Sequence, residues 1–126
     1  MRYLLDTTFL IDHIRGDAGA LALLPQLWAE AEALYVNEVV ICEYFTGLRD
    51  ADVQTGERLV APLDFIQPAP DHAKLAARWR REVRATGRTL SVDDALIAVA
   101  AHSVDAAILT RNVRDFALAP VKVETY

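Results

Sequence analysis

Four acidic residues interrupt apolar sequence. Asp6 stands in YLLDTTFLID, Glu43 in VVICEYFTG, Asp94 in SVDDALIAVAA and Asp115 in ILTRNVRDF. Each is flanked by residues of core type, whereas Glu30, Glu32, Glu57 and Glu82 read as ordinary surface acids. An unpaired carboxylate is costly to bury, and four carboxylates brought together cannot all ionise unaided. A hard divalent cation resolves this conflict. Mg²⁺ or Mn²⁺ prefers oxygen ligands and combines a few carboxylates with water and substrate phosphates. Such an ion can activate a water, align it with a phosphodiester and stabilise the leaving oxygen. The pattern points to metal-assisted phosphodiester hydrolysis.

Each acid also has a local explanation. Asp6 suits the N-cap of a helix beginning near Thr8. Asp94 fits a capping box with Ser91, three residues earlier. Asp115 could close a turn with the Asn112 loop. Asp93 lies about 100° around a helix from Asp94 and reads as a cap or a solvated neighbour. Glu43 is the exception, because a glutamate in mid-helix among apolar residues gains nothing from capping.

Positioning the four acids requires elements that bring distant segments together. Short strand-like runs alternate with longer helical ones, which favours a parallel α/β sheet in a three-layer helix–sheet–helix domain spanning 1–126. Strands are expected at Arg2–Leu5, Leu34–Val36, Leu63–Ile66, Ala106–Leu109 and, at one edge, Val121–Val123. Helical patterning covers Thr8–Ile14, Leu21–Ala31, Glu38–Leu48 after an Asn37 cap, and Val53–Val60. Asp71 is expected to cap a helix reaching Thr86, which Gly87 stops. Ser91 opens the helix Val92–Ser103. Asp6 and the 110–115 loop would then both follow strand C-termini, the edge where such sheets gather ligands.

Composition narrows the function classes. Hydrophobic residues make up 53% of the 126-residue chain, too much for a disordered protein. No apolar run has a membrane helix's length, and the first one stops at Asp6, too soon for a signal-peptide core. A cytoplasmic protein without a membrane partner is expected. Cys42 is the single cysteine, which excludes an internal disulfide and a cysteine-based zinc site. A net charge of −5 argues against a non-specific nucleic-acid coat. The charge is uneven, however, with five arginines in the segment RWRREVRATGR, 78–88.

In these segments the chain resembles the PIN-domain ribonucleases, and among them the VapC type of toxin from bacterial toxin–antitoxin pairs. LLDTTFLID matches the family's opening strand and first acid, Asp6. VVICEYFTGL matches the second motif, with Glu43 as the acid and Gly47 as the glycine that follows. DDALIAVAA matches the third, where Asp94 rather than Asp93 stands directly before the Ala-Leu-Ile-Ala run. LTRNVRDF matches the fourth, giving Thr110, Asn112 and Asp115. The motifs occur in the family's order over nearly the whole chain. Two positions depart from it: Thr8 stands where asparagine is frequent, and Val39, Val40 and Ile41 fill a stretch that often carries a hydroxyl before the second acid.

The resemblance implies a Mg²⁺- or Mn²⁺-dependent endoribonuclease cutting single-stranded or loop RNA with a metal-activated water. Asp6, Glu43, Asp94 and Asp115 would be catalytic, with Asp6, Asp94 and Asp115 holding the metal and Thr8, Thr110 and Asn112 supporting them. It also implies a homodimer and a cognate antitoxin whose C-terminal segment lies across the active-site groove. Candidates for RNA phosphate are Arg111 and Arg114, beside the acidic edge, and Arg81 and Arg84 in the basic strip. Arg78, Arg80 and Arg88 belong to the same strip, with Glu82 as a partial partner. Trp28 and Trp79 are expected in core or dimer packing, His102 in a structural role and Cys42 as a small buried hydrophobe. Rival readings are an aspartate-nucleophile phosphatase and a PIN-like fold that binds RNA or a partner without cutting. The phosphatase wants a second aspartate where Thr8 stands. A receiver-like domain wants a late lysine, for which Lys122 is poorly placed.

Overall fold

The computed structural model describes residues 1–126. Successive strand residues point to opposite faces of a sheet. Leu4 and Leu5 in β1 (Arg2–Leu5) are both fully buried, so both faces of that strand are covered. The same holds for Ala107, Ile108 and Leu109 in β4 (Ala107–Leu109). Two covered faces are what a parallel sheet requires. With β2 (Ala33–Asn37), β3 (Asp64–Ile66) and β5 (Val123–Glu124), these strands form one five-stranded sheet in the order β3-β2-β1-β4-β5, parallel throughout. Flanking helices complete the expected three-layer α/β architecture.

The helices are α1 (Thr7–Ile14), α2 (Ala18–Glu30), α3 (Glu38–Gly47), α4 (Val53–Val60), α5 (Pro70–Ala85), α6 (Val92–Ser103) and α7 (Val113–Phe116), with a 3₁₀ turn at Asp50–Asp52. Two starts follow the caps read from sequence. Asn37 Oδ1 accepts from the Val40 amide at 3.0 Å, and Ser91 Oγ accepts from the Asp94 amide at 3.0 Å. Helix α6 is buried on nearly all sides along Ala95 and Ile97–Ala101, which fixes Asp94 at the rim of the core. Gly87, at φ +82, closes α5 in the left-handed region that glycine adopts freely.

Several expectations need correction. Ala69, not Asp71, is the N-cap of α5, because Pro70 takes the first helical position that proline favours. The last strand pairs through Val123 and Glu124 rather than Val121, whose amide is used in a turn to the Ala119 carbonyl. Residues 113–116, read as loop, form the short helix α7. Cys42 is exposed. It lies two residues, about 200°, beyond Val40, and Val40 and Tyr44 mark the buried side of α3. Trp79 is buried and meets His102 edge-on at 5.4 Å. Trp28 is 46% exposed, turned about 100° from the buried Leu27. No helix is long and apolar enough to cross a membrane.

Candidate active site

Strand order reverses direction between β1 and β4, the topological switch point where open α/β sheets open a crevice beyond their C-terminal edge. Asp6 leaves β1 there and Thr110 leaves β4. Asp6 is buried, at 4% exposure, and it is the N-cap residue of α1. Its carboxylate does not cap that helix. Instead Oδ2 accepts from Thr110 Oγ1 at 2.7 Å and from Thr8 Oγ1 at 3.1 Å. Each hydroxyl also accepts from the loop that follows β4: Thr110 from the Asn112 amide at 2.9 Å, Thr8 from the Arg111 amide at 3.0 Å. Two hydroxyls thus fix one oxygen of Asp6 and the path of residues 110–112 together. Oδ1 takes no side-chain or backbone donor.

Glu43 enters from α3 and is partly buried. Thr7 Oγ1 donates to its Oε1 at 2.9 Å. This hydroxyl comes from the start of α1, 36 positions earlier in the chain. Burial raises the Glu43 pKa above 4.5; the Thr7 bond opposes the rise, and the charges of Asp6, Asp93 and Asp94 add to it. Asp94, in the first turn of α6, behaves alike. Burial raises its pKa above 3.8, a hydrogen bond with Ser91 opposes this, and Asp6, Asp115 and Asp93 push it further. Asp94 thus feels both Asp6 and Asp115, and Glu43 feels Asp6 and Asp94. The four segments converge into one field of negative charge.

The carboxylates approach without closing, and no three acid, histidine or cysteine side chains make a ready-formed metal cage. An open all-oxygen set fits Mg²⁺ or Mn²⁺, which keeps several waters and recruits substrate phosphate. It does not fit zinc, whose structural sites close tetrahedrally with nitrogen or sulfur. Asp115 is the most exposed of the four, on α7 beside the buried Phe116. Asn112 caps α7 by position but makes no side-chain cap bond.

The arginines separate. Arg111 Nη1 lies 2.9 Å from Asp12 Oδ2 and donates to Oδ1 at 3.0 Å, so its guanidinium is tied to the protein. Arg114 is exposed and joins no ion pair. Arg81 and Arg84 are exposed on α5 with no bond to the acids. Arg78 pairs with Glu82, and Arg80 donates to the Leu90 carbonyl at 2.9 Å. Sequence reasoning overlooked two residues. Thr7 is one, legible only as half of a Thr-Thr doublet. The other is Asp12, buried at 7% exposure, an acid beside the apolar run Phe9-Leu10-Ile11. The interruption that drew attention to Glu43 was present there too. Asp12 Oδ2 also accepts from the Tyr126 hydroxyl at 2.5 Å, and the Tyr126 ring meets Phe9 edge-on at 5.0 Å.

The sequence profile of the PIN domain matches residues 3–121. Ribonuclease VapC19 of Mycobacterium tuberculosis is 34% identical over 117 residues, covering 93% of this chain and 94% of that protein. Among solved structures, a toxin–antitoxin complex from Klebsiella pneumoniae aligns with a TM-score of 0.80 at 26% identity, covering 98% of this chain and 96% of that one. VapBC2 from Rickettsia felis, bound to a promoter DNA fragment, aligns with a TM-score of 0.84 at 20% identity, covering 100% of this chain and 99% of that one.

Proposed function

The chain belongs to the PIN-domain family, and from that premise we propose that it is a VapC-type endoribonuclease, the toxin of a toxin–antitoxin pair. The observation that carries this reading is the convergence of Asp6, Glu43, Asp94 and Asp115 at the switch point, with their charges coupled. The reading gains support from a relative named as a ribonuclease and from a solved toxin–antitoxin complex of the same fold.

Mg²⁺ or Mn²⁺ would be held by Asp6, Asp94 and Asp115, with Glu43 beside them. When bound, such an ion lowers the pKa of a coordinated water and stabilises charge on the phosphate. The chain's own residues prepare for it. Thr8 and Thr110 saturate Asp6 Oδ2 and leave Oδ1 for a ligand. Thr7 holds one oxygen of Glu43. Close packing of α6 holds Asp94 still. Arg114, exposed beside Asp115, is the arginine best suited to an RNA phosphate.

A toxin of this kind requires a cognate antitoxin covering the site, and a homodimer is its expected state. Expression without the neighbouring antitoxin should slow growth, while Asp6→Asn should not. Equal growth of the two strains would contradict the toxin reading.

A further inference from the structure

A cavity of about 210 Å³ opens at the C-terminal edges of β2 and β3, the sheet edge from which Asp6 also emerges. Its walls include Val39, Ile66 and Leu96, and Gln67 and His72 contribute polar groups. Two of the helices that carry acids also build it. On α3, Val39 precedes Glu43 by four residues; on α6, Leu96 lies in the turn that follows Asp94. The first spacing keeps Val39 and Glu43 on one face of α3. Along α3 the step from Val39 to Glu43 is about one helical turn, roughly 5.4 Å.

We propose that this cavity is a nucleobase pocket, which takes one unstacked base next to the phosphate being cut. The proposal rests on the ribonuclease reading and adds a determinant of sequence preference to it. The volume falls below the roughly 300–1,000 Å³ of drug-sized ligand sites and suits a single ring system. Proteins that read single-stranded RNA hold splayed bases against aromatic planes and bond their edges. His72 offers an imidazole face, and the Gln67 amide offers both a donor and an acceptor. Asn37 is part of the wall rather than a reader, since its Oδ1 is used by Val40 and its Nδ2 points to the Leu96 carbonyl. The only charged lining residue is Glu38, which disfavours a phosphate in the pocket.

Two variants leave the acids untouched. Gln67→Ala removes the edge reader from an exposed position, and Ala73→Phe, on an exposed site of α5, fills the cavity. The test is cleavage of a randomised single-stranded RNA pool with Mn²⁺, with the cut ends sequenced. Wild type should favour one base at a fixed position within a nucleotide or two of the cut. Both variants should flatten that preference, losing about 10-fold in kcat/KM on the preferred RNA but little on RNA abasic at that position. An unchanged preference in Gln67→Ala, folded as judged by circular dichroism, overturns the pocket and leaves the ribonuclease reading intact. Wild type that cuts no RNA overturns both.

Discussion

Thr110 Oγ1 donates a 2.7 Å hydrogen bond to Asp6 Oδ2 across 104 positions of sequence. It joins the ends of two adjacent parallel strands, and Thr110 is completely buried. Thr110→Val keeps the shape and removes the donor. Hydrogen bonds to charged groups contribute about 1.5–3 kcal/mol, so urea denaturation should register a loss of that order. Residues supporting metal ligands typically affect metal affinity or activity by about 10–100-fold. Thr110→Ser should retain most of both. A valine variant of wild-type activity would remove this hydroxyl from the account.

The acid cluster should leave a signature in stability against pH. Folded Asp94 and Glu43 titrate above their ordinary values of 3.8 and 4.5. In that window the folded chain holds protons that the unfolded chain has released, so stability falls as pH rises through it. The metal-free protein should therefore lose Tm on going from acid toward neutrality through the carboxylate range. Asp94→Asn should flatten that slope, and added Mn²⁺ should offset it in wild type only. Scanning calorimetry along a pH series would show whether the slope changes.

Tyr126 should matter for stability. Its hydroxyl donates to the buried Asp12, and burial and that bond together raise its pKa well above 10. Tyr126→Phe keeps the ring against Phe9 and deletes the donor. A loss of about 1–3 kcal/mol is expected, read by thermal or urea unfolding. Unchanged stability would mean that water replaces the hydroxyl without cost.

Arg111 and Arg114 should diverge in an RNA-binding assay. Arg111 is engaged with Asp12, and Arg114 is unpaired. Arg114→Ala should weaken binding evenly across sequences, reduce the salt slope by about one, and leave Tm unchanged. Arg111→Ala should lower Tm and change the salt slope little. Fluorescence anisotropy over a salt series separates the two, and a reversed pattern would contradict the assignment.

Much of this geometry was legible in the chain. The strand at Arg2–Leu5, the strand expected at Leu63–Ile66 and the caps at Asn37 and Ser91 were legible, because each carries a pattern within a few residues. The acids stood out because each breaks an apolar run. What sequence left hidden involves long range or rotation. Thr7 reaches Glu43 across 36 positions, and Asp12 is satisfied by Arg111 and Tyr126, 99 and 114 positions away. No local pattern announces such partners. Cys42 is exposed because helical phase outweighs apolar type: it falls well around α3 from the buried stripe.

The central claim is that Asp6, Glu43, Asp94 and Asp115 act together through a divalent ion. Its most direct test is cleavage of single-stranded RNA by purified protein with Mn²⁺, after EDTA, and by folded Asp94→Asn. Wild type should cut, stop with EDTA and resume when metal returns, while Asp94→Asn stays inactive throughout. Cleavage that survives EDTA, or an Asp94→Asn protein cutting at the wild-type rate, would contradict the account.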